Sequence, residues 1–245
     1  MVSGGVDPSS APARWCAVAK ILLFDVDGTL VLTGGAGVQA MHRAFAELFG
    51  IENGLDGVEM AGRSDMAIFR SALNKNGLPS DDFPAQVPRF RAVYRRHLAV
   101  TLREATGGRV LPGVRELLTA LQPRRGVRLG LATGNFREGA ELKLTHYGLW
   151  RFFVGGAFGE DGEERAELVA AAISRMSDGG GELDRSAVYV IGDTVYDIEA
   201  AKANGAVAVA VNTGSTTADR LRAAGADLLF PDLSDWRAVL AALRL

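Results

Sequence analysis

The sequence is poor in cysteine, lysine and histidine, and each shortage closes off a chemistry. A single cysteine, Cys16, forms no intrachain disulfide and offers no thiolate cluster to zinc or iron–sulfur. That usage fits a reducing compartment, so the cytoplasm is the expected location. His42, His97 and His146 are too scattered for a zinc-binding spacing. Lysine and arginine together number 27 against 29 acids, so no basic surplus points to nucleic acid or to an anionic membrane. No unbroken apolar run outlasts residues 206–211, far short of the ~18 residues of a spanning helix. No Gly-Lys pair occurs, which excludes a P-loop. Gly35-Ala36-Gly37-Val38-Gln39-Ala40 formally matches the dinucleotide fingerprint. However, ten residues separate it from the apolar run ending at Phe24, whereas a true fingerprint follows its strand at once.

What is present is enough for a substantial core: 245 residues, 48% of them hydrophobic and 23% charged. Residues 1–14 are rich in Ser, Gly, Pro and Ala, lack the basic start and apolar centre of a secretion signal, and are expected to be a disordered leader. From Ile21 onward, short apolar runs (21–24, 127–132, 152–154, 188–191, 207–211 and 228–230) alternate with amphipathic stretches (114–121, 137–147, 164–176, 198–204, 217–224 and 235–243). Strand then helix, repeated, predicts an α/β fold, a Rossmann-like parallel sheet with helices on both faces. Apolar runs without polar alternation fit strands buried on both sides.

Between Gly34 and Gly108 only helical patterns appear (38–49, 65–76 and 88–103). This interval predicts an inserted α-helical cap over 34–108, with the core formed by 15–33 and 109–245. Gly34, Gly35 and Gly37 in front and Gly107, Gly108 and Pro112 behind suit two crossings that must turn. Asp178-Gly179-Gly180-Gly181 reads as a loop.

Ligands of open parallel sheets bind beyond the carboxyl ends of the strands. There the sequence has Asp25-Val26-Asp27-Gly28-Thr29, then Thr133-Gly134-Asn135, then Gly192-Asp193-Thr194-Val195-Tyr196-Asp197. Turn formation and helix capping account tolerably for Asp197. They do not account for Asp25 and Asp27, two acids flanking one Val directly after a buried strand. Four carboxylates on one edge repel one another at neutral pH and call for a cation. Oxygen ligands without His or Cys select a hard ion, of which Mg2+ is the usual partner of carboxylates and phosphate.

The stretch Phe24-Asp25-Val26-Asp27-Gly28-Thr29-Leu30 resembles the first motif of the haloacid dehalogenase superfamily. Thr133 and the Asp193 to Asp197 segment fall where its second and fourth motifs belong, and the helical interval is similar to the cap of the phosphoglycolate-phosphatase-like branch. The resemblance spans roughly residues 20–242. It implies a Mg2+-dependent phosphomonoester hydrolase acting on a small phosphorylated metabolite. Asp25 would be the nucleophile that becomes an aspartyl phosphate, and Asp27 the general acid and base. Mg2+ would be bound by Asp25, the Asp27 carbonyl and Asp193, with Asp197 nearby. Thr133, Gly134 and Asn135 would cradle the phosphate, although Asn135-Phe136-Arg137-Glu138 reads equally as a helix cap. A phosphomutase of the β-phosphoglucomutase type, or a non-catalytic scaffold that binds a phosphorylated ligand, would use the same core.

The family's third motif carries a lysine before a helix, and Lys20, Lys75, Lys143 and Lys202 all lie elsewhere. Arg165 is the nearest substitute, permanently charged and able to fork onto phosphate or carboxylate. Its bland alternative is a solvated residue in an acidic first turn. Arg63, in Ala61-Gly62-Arg63-Ser64-Asp65, resembles a cap-loop residue that meets substrate and is the candidate for a second anionic group. Arg89, Arg91, Arg95, Arg96 and Arg103 form an acid-free helical stretch expected to be solvated.

Overall fold

The computed structural model describes residues 20–79, 82–177 and 184–245. The expected leader, Cys16 and the loop at 178–181 lie outside the described residues.

The first apolar run forms β1 (Lys20–Phe24), one of the two central strands of a six-stranded parallel sheet. The others are β4 (Val127–Ala132), β5 (Gly156–Ala157), β6 (Val188–Gly192), β7 (Val207–Val211) and β8 (Leu228–Phe230), and the order across the sheet is β5-β4-β1-β6-β7-β8. The expected Rossmann-like α/β core is therefore present. Ile21, Leu22, Leu23 and Phe24 are all fully buried because each strand face is covered. Leu22 and Phe24 join a cluster with α4 (Val114–Leu121), α5 (Arg137–His146) and α9 (Trp236–Ala242). Ile21 and Leu23 join the opposite cluster with α6 (Arg165–Met176), α7 (Val195–Ala203) and α8 (Ala218–Ala223). Fully burying one such side chain contributes about 1.5–3 kcal/mol.

One strand lies elsewhere than its apolar run suggested. Residues 150–152 wind into a 3-10 turn, the Val154 N–H then donates to Leu129 of β4 at 3.0 Å, and the paired strand itself is Gly156–Ala157. The turn carries Phe152 into the first core cluster, so the hydrophobicity there reflects packing rather than a strand.

Between the sheet's first strand and α4, the chain makes α1 (Ala36–Phe49), α2 (Asp65–Lys75) and α3 (Phe83–Glu104). Their core is separate and aromatic, with Phe69 and Phe90 stacked at 4.1 Å between ring centroids. The two crossings pair with each other as β2 (Val31–Leu32) and β3 (Arg109–Val110), an antiparallel ribbon too short to show in the sequence pattern. Among the described residues no helix is long and apolar enough to cross a membrane.

Candidate active site

β1 lies between β4 and β6, so the chain leaves it toward opposite sides of the sheet and a crevice opens at the carboxyl ends. Asp25 follows β1 at once, and its backbone N–H donates to Ile191 of the neighbouring strand at 2.9 Å. Asp193 follows β6. Asp197 is the third residue of α7, where its carboxylate accepts from the Thr194 N–H at 3.0 Å and hydroxyl at 2.7 Å, a reciprocal cap. Asp25, Asp193 and Asp197 each offer a carboxylate oxygen within 4.8 Å of the other two, and all three are buried. Gly28 turns beside them in the left-handed region, with φ 79°. A Cβ there would lie 2.5 Å from Asp193 Oδ2, so only glycine fits.

Arg165 enters this cluster from the first turn of α6. Its Nη2 lies 2.8 Å from Asp25 Oδ1 and 2.6 Å from Asp197 Oδ1, and its Nε donates to the same Asp197 oxygen at 2.9 Å. It is buried in an ion-pair network and is not the solvated residue of the bland alternative. Burial opposes its charge, but the two acids outweigh burial and raise its pKa. One arginine does not neutralise three buried acids. Burial raises the pKa of Asp25 despite Arg165, and burial together with Asp197 and Asp25 raises Asp193 to about 8. The remaining charge deficit, the oxygen-only donors and their spacing fit a hard divalent ion.

Asp27 does not join the carboxylate cluster. Its side chain, nearly half exposed, accepts from Asn135 Nδ2 at 2.8 Å and from Lys143 Nζ at 2.6 Å. Lys143 also donates to Asn135 Oδ1 at 2.5 Å. Sequence reading missed this lysine because it sought one at the family's third motif. The available signal was a lysine on the apolar face of α5, in register with the buried Gly139, Ala140 and Leu144.

Thr133 is buried, and its hydroxyl oxygen accepts from Asn135 Nδ2 at 2.9 Å. The side chain of Asn135 thus faces Asp27, Thr133 and Lys143 rather than capping α5. Phe136 occupies the cap position, and its N–H is accepted in trans by Asp65 Oδ2 at 2.8 Å. Asp65 N–H donates back to Gly134 O at 2.7 Å. Gly134 lies directly under residues 63–64, where a Cβ would be 2.5 Å from the Arg63 carbonyl oxygen. Burial, above all, raises Asp65 to about 7. Arg63 lines the cavity between the helical insertion and these loops, whose volume is about 400 Å3. Lys75 is exposed at the end of α2. The acid-free stretch of α3 finds partners on other elements: Arg91 pairs with Glu138 and Glu160, and Arg96 with Glu47.

Comparison with known proteins agrees with this geometry. Residues 19–205 match the family described as haloacid dehalogenase-like hydrolase. The chain is 30% identical over 228 residues to "Probable phosphatase IndB" of Dickeya dadantii, covering 88% of this chain and 90% of the relative. It is 30% identical over 220 residues to a phosphoglycolate phosphatase of Caulobacter vibrioides, with 87% of each chain covered. Among solved structures, CbbY from Rhodobacter sphaeroides in complex with phosphate aligns with a TM-score of 0.69 at 20% identity, over 93% of this chain and all of that one. That last likeness bears on the fold alone.

Proposed function

We propose that this chain, which belongs to the haloacid dehalogenase-like hydrolases and is a phosphatase, hydrolyses phosphate monoesters of a small metabolite, with Mg2+ as cofactor and an aspartyl phosphate on Asp25 as intermediate. The observation that carries this reading is the buried convergence of Asp25, Asp193 and Asp197 on Arg165. Its relatives include phosphoglycolate phosphatases, which supports the same chemistry.

Asp25, Asp193 and the Asp27 backbone carbonyl would hold Mg2+, with Asp197 beside them. The ion supplies the positive charge that lets a carboxylate approach a phosphate dianion. Asp25 Oδ attacks phosphorus in line and displaces the leaving alcohol. Asp27 gives that alcohol its proton, then takes one from the water that hydrolyses the aspartyl phosphate. Lys143 and Asn135 hold the Asp27 carboxylate in one orientation, so the proton is delivered to a defined place. The Thr133 hydroxyl and the N–H groups of Gly134 and Asn135 receive phosphoryl oxygens at the entry to α5. Arg165 fills the electrostatic role of the family's lysine and fixes the nucleophile. Residues 34–108 act as a cap that excludes water, with Arg63 on its substrate-facing loop. The core is then 15–33 and 109–245. The single cysteine favours a reducing, cytoplasmic setting, and the charge balance favours a small substrate over nucleic acid or membrane.

The test is phosphate release from a panel of small phosphomonoesters, with Mg2+ or with excess chelator. Turnover that needs Mg2+ supports the reading. Ligand binding without turnover of any ester points to the scaffold instead.

A further inference from the structure

Three residues lining the cavity carry polar groups whose bonding is incomplete. The Tyr94 hydroxyl, on α3, is buried without a hydrogen-bond partner, and Tyr94 lines the cavity. Buried hydroxyls are almost always paired, so an orphan beside a cavity points to a bond completed by a ligand. Asp65 gives Oδ2 to the Phe136 N–H, and Oδ1 has no donor among the described residues. Lys143 uses two of its three N–H groups on Asp27 and Asn135. A Cβ built on Gly37 would lie 3.2 Å from Lys143 Nζ and 3.9 Å from the Tyr94 hydroxyl oxygen, so both groups border the space beside α1.

The donors and acceptors left open decide what fits there. Apart from burial, the charges that bear on the Tyr94 hydroxyl are those of Asp65 and Asp27, and all three causes keep it protonated, as a donor. Lys143 is already matched by Asp27, and Arg165 by Asp25 and Asp197. A hydroxyl matches these groups, because it accepts from Tyr94 or Lys143 and donates to Asp65 Oδ1. Met41, Met60 and Ile68 give the same cavity apolar walls, suited to the carbon face of a ring or chain.

Resting on the hydrolase reading above, we propose that Tyr94, Asp65 and Lys143 form a leaving-group subsite for a hydroxyl-bearing alcohol. The substrates are then phosphate esters of sugars or polyols.

The experiment compares kcat/KM for D-ribose 5-phosphate, glycerol 1-phosphate and ethyl phosphate. The two hydroxylated esters should exceed ethyl phosphate by about tenfold or more. In Tyr94→Phe the ratio of ribose 5-phosphate to ethyl phosphate turnover should fall about tenfold, one lost hydrogen bond. Asp65→Asn should lower the same ratio. Tyr94→Phe should melt no lower than wild type, because the atom removed has no partner. No preference over ethyl phosphate, or an unchanged ratio in Tyr94→Phe, would overturn the proposal. If wild type turns over none of the esters, the hydrolase reading fails by itself. The subsite is then decided by calorimetric binding of ribose 5-phosphate to Asp25→Asn, which Tyr94→Phe should weaken about tenfold and which, if unaltered, contradicts it.

Discussion

Arg165 Nη2 stands 2.8 Å from Asp25 Oδ1 and, with the same nitrogen, 2.6 Å from Asp197 Oδ1. The guanidinium therefore ties the proposed nucleophile to the N-terminal turn of α7. Arginine cannot lose its proton here, so the tie carries positive charge throughout a reaction cycle. It also leaves Asp193, which Arg165 does not touch, as the acid most dependent on a further cation.

Replacing Arg165 tests that tie. Arg165→Met leaves buried acids uncompensated and should cost about 3–5 kcal/mol of stability in metal-free denaturant melts. Its kcat should fall by about a hundredfold or more. Arg165→Lys keeps the charge but not the fork, and should lie between wild type and Arg165→Met in both measurements.

Metal and protons should compete at Asp193. Burial, with Asp197 and Asp25, raises this carboxyl from 3.8 to about 8. The folded state thus holds the proton more tightly than the unfolded chain. The stability this contributes is fully present below the ordinary carboxylate pKa and is lost as pH rises through about 8. A divalent ion favours the ionised form and reverses the trend. Stabilisation by Mg2+ should therefore grow from pH 6 to pH 8, and Mg2+ binding at pH 7 should release protons. Thermal melts with and without chelator, and calorimetry in buffers of different ionisation enthalpy, check both.

Lys143 should act through Asp27. Lys143→Met removes the 2.6 Å contact to Asp27 Oδ2 and leaves Asn135 as its remaining side-chain partner. A fall of about tenfold to a hundredfold in kcat is expected. Combined with Asp27→Asn, the two losses should not add, with a coupling of about 1–3 kcal/mol in a double-mutant cycle of kcat/KM.

Much of this site was legible because its chemistry sits at strand ends. Asp25 and Asp27 stand out where a buried strand stops, and Asp193 and Asp197 where another does, so the sequence pattern placed them on one edge without tertiary detail. Lys143 was harder to see, because its reach to Asp27, 116 residues away, depends on how α5 packs. Asp65 was harder still: its carboxylate caps a helix of the core from the insertion, a contact that no local pattern encodes. The short strands at Val31–Leu32 and Gly156–Ala157 were illegible because two residues carry no periodicity.

Gly134→Ala should separate residues 63–65 from the loop at 133–135. The new Cβ would lie 2.5 Å from the Arg63 carbonyl oxygen and 2.9 Å from Ser64 Cα, both backbone. Residues 63–65 would have to lift, breaking the paired bonds between Asp65 and residues 134 and 136. KM should rise about tenfold, with about 1–3 kcal/mol lost in thermal or denaturant melts.

The central claim is that Asp25 itself takes the phosphoryl group. Acid quenching during turnover, followed by mass spectrometry of the digested protein, reads this directly. One phosphoryl group on the peptide containing Asp25, absent in Asp25→Asn together with activity, is the expected result. Phosphate release by Asp25→Asn at the wild-type rate, with no phosphorylated peptide in either protein, would contradict it.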